Sequence, residues 1–498
     1  MRLKLPASMR QVSYRRQVPV PSHHPRPSVP SERQSRLRAL GTALLTLSFL
    51  AISWNAVRLD GFEPGQILLA LAVAALGLNA LRDRQAIHVP SGMLAGATLI
   101  AAAGLMSSVL PAPAQYVSSR FNPSALGAGL GSAAVGPGNL TQLAKFEVAL
   151  IGVILAVLLL RPSISEVRRL ASAWAVSALV SAAVAASDAS GHTNISASLL
   201  GLVDFSGRQA GLTVQPNHLA VSMALVVPIL LFWVVDGGAR IKCVGAIALA
   251  LVAYGSVLAG SRGGAAGMLI AVSLFVLLTP KLRLPALLFG LPLLTLLTCI
   301  AFLVFPSILL TIVTDVRLAG GLGPASDAGH ALALHQGFLD IQQSPIFGIG
   351  YDHLDDATEV HLQLWAAGGI LGLLGYLVYW FSVLRASRVA IVVDAPLASA
   401  LLASVLTFMV LNFLENQVAD TYLYVPAALL VSLTALSRRQ LTREPLRMIG
   451  SQAPHLLLHR VASGAREDIG VPRRSARSRA PGVNPRPGTS SFDRSFRR

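Results

Sequence analysis

Residues 215–235 read QPNHLAVSMALVVPILLFWVV, a stretch of 21 residues without Asp, Glu, Lys or Arg. A helix of this length is roughly 30 Å long, which matches the hydrocarbon core of a bilayer. Because lipid offers the backbone no hydrogen-bond partners, we expect this run to cross the membrane as a helix. Similar apolar runs occur at residues 38–57, 64–81, 90–110, 142–160, 168–188, 243–259, 264–279, 285–305, 362–383, 396–414 and 421–437. The sequence therefore predicts an all-α membrane protein with about twelve transmembrane helices.

The composition of the whole chain agrees with this prediction. Of its 498 residues, 53% are apolar and only 13% are charged, and the mean hydropathy is +0.62. Soluble domains carry about 25% charged residues, so an ordinary soluble enzyme is excluded. The alternating pattern of outer-membrane barrel strands is absent. Cys243 and Cys299 both lie in apolar runs, so the sequence predicts neither a disulfide framework nor a Cys/His metal site.

The basic residues are distributed unevenly along the chain. Of the 40 Lys and Arg residues, 34 lie in the two tails and in alternate short loops between the runs. Cytoplasmic loops are enriched in Lys and Arg, so we expect both termini to be cytoplasmic. Residues 1–37 and 438–498 are predicted to be basic, mostly disordered tails, and residues 38–437 a polytopic membrane domain. The net charge of +17 is thus an orientation signal rather than a sign of nucleic-acid binding.

A large extracytoplasmic loop is predicted at residues 306–361, before the tenth apolar run. Within it, residues 328–343 form a short predicted helix with Leu334, Phe338 and Ile341 at positions i, i+4 and i+7. A long loop in a compact protein is usually either functional or disordered. The amphipathic helix favours a functional role for this one.

A turn is predicted directly after this helix. Pro345 disfavours helical geometry at the preceding residue, so the helix is expected to end there. Gly348 and Gly350 then predict a flexible turn, and an acidic run follows at residues 352–359. The predicted outer face of the protein is therefore acidic around this loop.

Few basic residues lie on the predicted outer side, and its arginines are Arg58, Arg120, Arg208, Arg262 and Arg317. Arg208 and Arg262 stand where apolar runs meet the membrane surface. A guanidinium at such a position suits a phosphate or a carboxylate ligand. The alternative is a structural ion pair with Asp204 or Glu415, or a side chain that snorkels to the interface.

Four segments of the sequence resemble the signatures of a known family. They are Gly207-Arg208 with Gly211-Leu212-Thr213 and Pro216-Asn217-His218-Leu219-Ala220, then Ser261-Arg262-Gly263-Gly264, then Pro345-Ile346-Phe347-Gly348-Ile349-Gly350, then Leu362-Gln363-Leu364 with Gly368-Gly369-Ile370-Leu371-Gly372-Leu373. In this order they resemble the O-antigen ligase/polymerase superfamily. The likeness covers about residues 200–375, and the spans and the large outer loop extend it over 38–437.

The resemblance implies a metal-independent glycosyltransferase in the bacterial cytoplasmic (inner) membrane. Such enzymes move a glycan from undecaprenyl pyrophosphate to a sugar hydroxyl on the outer membrane face, in surface polysaccharide polymerisation or ligation. The implied partners are this lipid-linked donor, an acceptor glycan or lipid and the bilayer, with no cofactor. The implied pyrophosphate-binding residues are Arg208, Arg262 and Arg317.

The sequence departs from the family pattern in two places, and the second concerns the residues that would act on the acceptor. His330 stands where the family often has an Arg, fifteen residues before the Pro345 turn. The family's His-Asn pair aligns with Thr358-Glu359, and His361 follows three residues after the histidine position. The candidate catalytic residues are therefore His361, Glu359 and His330, with His361 or Glu359 as the base. His218, beside Asn217, is a further candidate.

A second class of function is a membrane transporter or flippase. Transporters often contain internal repeats and charged residues in the middle of the membrane. The sequence has no clear two-fold repeat, and its span charges are scarce apart from Lys145 and Glu147. The long outer loop and the two arginines favour surface chemistry. The basic tails are also suited to anionic lipid or a cell-envelope partner.

Overall fold

The structure is a computed structural model, and it describes residues 32–59, 62–84, 86–110, 137–200, 207–285, 288, 323–354 and 359–437. The predicted tails, apart from the first turns of the first helix, lie outside these ranges. So do Arg317, Asp204, residues 355–358 of the acidic run and nearly all of the run at 285–305. The described residues are mostly helical, and the only β pairing among them is an isolated bridge between Leu59 and Phe62.

The helices follow the predicted apolar runs. They are α1 (Glu32–Ala51), α2 (Pro64–Arg82), α3 (Ser91–Val109), α4 (Pro137–Glu147), α5 (Val153–Leu160), α6 (Ile164–Ala189), α7 (Ile195–Leu200), α8 (Pro216–Asp236), α9 (Ala239–Ala259), α10 (Arg262–Leu278), α11 (Pro280–Pro285), α12 (Gly323–Gln343), α13 (Val360–Val393), α14 (Ala395–Leu411) and α15 (Thr421–Ser437). A π-helical segment, Val148–Gly152, joins α4 to α5, and α15 opens with a 3₁₀ turn at Thr421–Tyr424.

Seven of the described segments are long and apolar enough to cross a membrane. They are α2, α3, the continuous segment Asn139–Leu160, α6, α8, α9 and α13, and α10, α14 and α15 are shorter apolar helices. A multi-pass helical membrane protein is therefore confirmed. The number twelve stays a prediction, because α1 is not among these segments and the run at 285–305 lies largely outside the described residues.

Loops predicted on opposite sides of the membrane lie at opposite ends of the bundle. At one end, which we call the Arg208 end, the start of α8 contacts the residues after α1 and before α15. At the other end, Arg38 Nη2 lies 3.4 Å from Glu166 Oε1, and Arg168 Nη2 lies 2.8 Å from Asp394 Oδ2. This alternation is what the distribution of basic residues predicts.

Glycines bring two pairs of helices into close contact. On α3 and α13, Gly96 and Gly375 face each other so closely that a Cβ on either would collide with the carbonyl oxygen of the other. On α10, a Cβ at Gly264 would collide with the Ala220 side chain of α8. Small residues at such crossings let membrane helices approach through van der Waals packing. The second contact fixes the start of α10 against the start of α8.

The Pro345–Gly350 turn is docked on a break in α13. Gly369 interrupts α13 with φ of 64°, and the Ile349 and Gly350 N–H groups donate to Ala366 and Ala367 carbonyl oxygens at 2.8 and 3.0 Å. The Ile370 N–H donates in turn to the Pro345 carbonyl at 2.9 Å. The prediction of a flexible turn is therefore wrong, because main-chain hydrogen bonds on both sides of the break hold it.

Helix α12 ends before Pro345, as predicted, and packs on the start of α13. Leu334 and Ile341 contact a small cluster formed with Leu362 and Ala366. Phe338 was expected on the same face, but 52% of its surface is exposed. The prediction for Phe338 is wrong because α12 meets α13 along the Leu334–Ile341 side only.

Candidate functional site

Arg208 is fixed between the end of α9 and the start of α8. Its Nε donates to the Ala259 carbonyl oxygen at 2.8 Å, and its Nη2 donates to Asn217 Oδ1 at 2.5 Å. The neighbouring Gln209 N–H donates to the Leu258 carbonyl at 3.0 Å. The guanidinium is half-buried and held on two sides, so its position is set by the fold rather than by solvent.

Arg262 lies on the other side of the same turn. It is the first residue of α10, and its side chain is exposed. Ser261 caps this helix by accepting a hydrogen bond from the Gly264 N–H at 3.1 Å. A helix N-terminus carries a partial positive charge and favours anions. The Gly260–Ser261 turn therefore has an arginine at each side and a positive helix end.

Glu415 is buried beside this turn and comes from the loop at residues 412–420. The Ser261 hydroxyl lies 3.5 Å from Glu415 Oε1, and a Cβ at Gly263 would collide with that oxygen. Burial raises the pKa of Glu415 to about 7, and the charges of His218 and Arg208 and the Ser261 hydrogen bond partly offset the rise. The charge of Arg208 therefore acts on Glu415, while the alternative of a structural ion pair between them stays a prediction.

The raised pKa of Glu415 gives a pH dependence of stability. Between about pH 4.5 and 7 the Glu415 carboxyl keeps its proton in the folded protein but loses it in the unfolded chain. The stabilisation that this bound proton gives the folded state is therefore complete below about pH 4.5 and is lost as the pH rises through 7. Glutamine does not titrate at position 415. In Glu415→Gln the fall in unfolding free energy between pH 4.5 and 7 should therefore be smaller than in the wild type by up to about 3 kcal/mol.

Thermal unfolding of both proteins in the same detergent, from pH 4.5 to 8, measures this difference. The variant should match the wild type at low pH and exceed it at pH 8. Parallel curves for the two proteins would show that Glu415 titrates normally.

A second polar cluster lies next to this turn, across the start of α8. His218 Nδ1 is 2.6 Å from Asp420 Oδ2 and 3.0 Å from Asn55 Nδ2. Asn55 Nδ2 also donates to Asp420 Oδ1 at 3.0 Å, and Asn55 Oδ1 accepts from the Val214 N–H at 2.9 Å. Burial raises the pKa of Asp420, but His218 and hydrogen bonds from His218, Asn55 and Tyr422 outweigh it, so this pKa is below its ordinary value.

Glu63 adds a second carboxyl group to this cluster. It directly precedes α2, and burial, reinforced by the Asp420 charge, raises its pKa to about 8. The positive charges of Arg58 and Lys145 lower the pKa of Glu63 and offset part of this rise. Near neutral pH the two neighbouring carboxyls are therefore in different states, with Asp420 ionised and Glu63 protonated.

His361 and Glu359 lie at the start of α13. The His361 ring packs on Phe413, with 4.4 Å between ring centroids, and edge-on to Tyr376 at 6.3 Å. His361 Nδ1 is buried and has no hydrogen-bond partner among the described residues. Glu359 is half-exposed at the N-cap position of α13, and its carbonyl accepts from the Gln363 N–H at 2.8 Å.

The 412–420 loop joins these parts of the site. The Val360 N–H donates to the Asn412 carbonyl at 3.0 Å, and the Gln363 side-chain amide donates to the Asn416 carbonyl at 3.0 Å. Glu415 then contacts the turn before α10, and Asp420 contacts α8. One loop thus holds the α13 start, the two arginines and His218 together.

The other predicted site residues stand apart. His330 is exposed on α12, and Arg317 lies outside the described residues. Asn55 and Asp420 were not predicted as site residues, although both are polar residues at the ends of apolar runs. In the described ranges, no group of three or more His, Cys, Asp or Glu is arranged to hold a metal ion.

A comparison with protein families finds a match in the middle of the chain. Residues 246–377 match the family model described as O-antigen ligase, from within α9 to within α13. This region includes Ser261, Arg262, the Pro345–Gly350 turn and His361. None of the curated proteins compared with the chain matches it. The family implies an enzyme of glycan transfer that acts on lipid-linked glycans in the membrane. The match at residues 246–377 supports the resemblance of this part of the chain to the O-antigen ligase/polymerase superfamily.

Proposed function

We propose that the protein transfers a glycan from undecaprenyl pyrophosphate to a sugar hydroxyl at the outer face of the bacterial inner membrane. The product is a polymerised or ligated surface polysaccharide. The observation that carries this proposal is the placement of Arg208 and Arg262 on the two sides of the Gly260–Ser261 turn, at the N-terminus of α10. In this proposal both termini are cytoplasmic, and the Arg208 end faces outward.

The two arginines suit the chemistry of a pyrophosphate leaving group. Negative charge accumulates on the pyrophosphate as its bond to the sugar breaks, and preorganised cations at that position lower the barrier. Arg208 is held by two hydrogen bonds, so little reorganisation is needed when the donor binds. Arg317 is proposed as a third cation from the large outer loop.

The acceptor is proposed to bind at the start of α13. His361 is the candidate best supported for orienting its hydroxyl, because a buried Nδ1 without a partner among the described residues is available for a hydrogen bond. Glu359, two residues before His361, is the alternative, and His330 would have to act from the exposed face of α12. The 412–420 loop ties this position to the arginines.

Replacing Arg262 with Ala in the producing cell tests the proposal. We expect single lipid-linked repeat units to accumulate on the outer leaflet, because the leaving pyrophosphate loses a stabilising cation. The measurement is the profile of extracted lipid-linked oligosaccharides. Arg240→Ala is the matched control, since Arg240 is also exposed in the first turn of a helix, α9, at the opposite end of the bundle.

A membrane transporter or flippase, the second class of function considered, predicts a different result for Arg262→Ala. A transporter or flippase variant would leave the length of the glycan chains unchanged while the flux of a solute or lipid-linked glycan across the membrane falls. That result for Arg262→Ala would overturn the proposal.

A further inference from the structure

His218 is held in the geometry of a general base. A short contact of 2.6 Å joins its Nδ1 to the Asp420 carboxylate, and Asn55 Nδ2 donates to the other oxygen of that carboxylate at 3.0 Å. We propose that His218 removes the proton from the acceptor hydroxyl, with Asp420 and Asn55 as its positioning residues. This inference rests on the proposed function, and it assigns the base to α8 rather than to the start of α13.

The contacts of Nδ1 decide which ring nitrogen is free to act. A carboxylate only accepts hydrogen bonds, so the short contact with Asp420 places the ring hydrogen on Nδ1. The Nε2 atom then keeps the lone pair that a base needs. No described residue makes a hydrogen bond to Nε2, and 12% of the side-chain surface is accessible. The imidazole is therefore oriented by the protein at one nitrogen and available at the other.

The position of His218 connects it to the donor site. Its neighbour in the first turn of α8, Asn217, accepts the hydrogen bond from Arg208. Glu415 senses the charge of both His218 and Arg208, so the three groups lie close together at the Arg208 end. A hydroxyl that reaches His218 is therefore close to the cations proposed to hold the pyrophosphate.

The proposed step is a substitution at the anomeric carbon of the donor glycan. The acceptor oxygen forms a bond to that carbon, and the bond from the carbon to the pyrophosphate oxygen breaks. The electron pair leaves with the pyrophosphate, next to Arg208 and Arg262. The hydroxyl proton moves to His218 Nε2 and passes to water after the product leaves.

The test uses the full-length protein in nanodiscs. Lipid-linked glycan extracted from cells that carry Arg208→Ala serves as the substrate, and undecaprenyl pyrophosphate alone is the binding probe. In His218→Gln we expect turnover to fall by about 100-fold or more, as for the loss of a general base, with binding of the probe unchanged. His218→Ala should be partly rescued by added imidazole, which a purely structural role would not allow.

Two further variants complete the test, one at a positioning residue and one as a control. Asp420→Asn should lower kcat while the KM for the extracted donor stays unchanged. His192→Gln is the matched control, because His192 is exposed at the same end of the bundle and its side chain contacts the Ser190 hydroxyl. The rate of this control should equal that of the wild type.

Two results overturn the inference. One is a rate for His218→Gln within tenfold of the wild type, especially if His361→Gln or Glu359→Gln loses turnover instead. The other is loss of probe binding in His218→Gln. If the wild type neither binds the probe nor converts the extract, the proposed function itself fails, which is a different outcome.

Discussion

Arg208→Ala should reduce glycan transfer by about 100-fold to 1,000-fold, which is the usual effect of removing one preorganised group that stabilises a developing anion. Arg208 is expected to matter more than Arg262, because two hydrogen bonds fix its guanidinium while the Arg262 side chain is exposed. The loss should appear in kcat and in the affinity for undecaprenyl pyrophosphate, since the proposed contact of Arg208 with the donor exists in both the bound ground state and the transition state.

Arg208→Lys separates charge from geometry. Lysine keeps the positive charge, but a single ammonium cannot donate to the Ala259 carbonyl and the Asn217 side chain with a planar fork. We expect a loss about tenfold smaller than that of the Ala variant. Arg388→Ala, an exposed arginine on α13 near the other end, is the control. Normal turnover in Arg208→Ala, at normal expression, would remove Arg208 from the donor site.

Gly348→Ala and Gly369→Ala should each destabilise the protein by more than about 3 kcal/mol. Both glycines have positive φ, 77° and 64°, where an alanine costs about 1–2 kcal/mol by itself. In addition, a Cβ at Gly348 would collide with the Ala367 carbonyl, and one at Gly369 would collide with the Ile346 carbonyl. The turn and the helix break would have to separate, and their main-chain hydrogen bonds would be lost.

The measurement is the melting temperature of the purified protein in detergent, with expression level as a second readout. Gly77→Ala on α2 is the matched control, because no atom lies within 4 Å of the added methyl group there. It should melt at the wild-type temperature or slightly higher, since alanine favours the helix. Equal melting temperatures for all three variants would mean that the turn does not depend on the break in α13.

The helices were predictable because their signal is local. The run at 215–235 corresponds to Pro216–Asp236, and Pro345 marks the end of α12 as expected. The π-helical segment Val148–Gly152 was not predictable, since widening one turn by a residue leaves no mark in hydropathy. Its consequence is visible only in three dimensions, where the Tyr379 hydroxyl donates to the Leu150 carbonyl at 2.9 Å.

The site was predictable only in part. Arg208 and Arg262 stand in recognisable segments, and each segment borders an apolar run. The contact of Asn55 with Asp420 joins residues 365 positions apart, and no periodicity or spacing in the chain encodes it. The conformation of the Pro345–Gly350 turn was not predictable either. Its glycines suggest a flexible segment, but main-chain hydrogen bonds to the broken part of α13 at Gly369 hold it.

The 412–420 loop has a practical consequence for anyone who modifies this protein. Surface loops usually accept extra residues, and they are the common choice for epitope tags and reporter insertions. Here a single added residue would displace Glu415 from the Ser261 turn and Asp420 from His218. The Gly237–Gly238 connection at the other end of the bundle is the better insertion point, because open space surrounds Gly238.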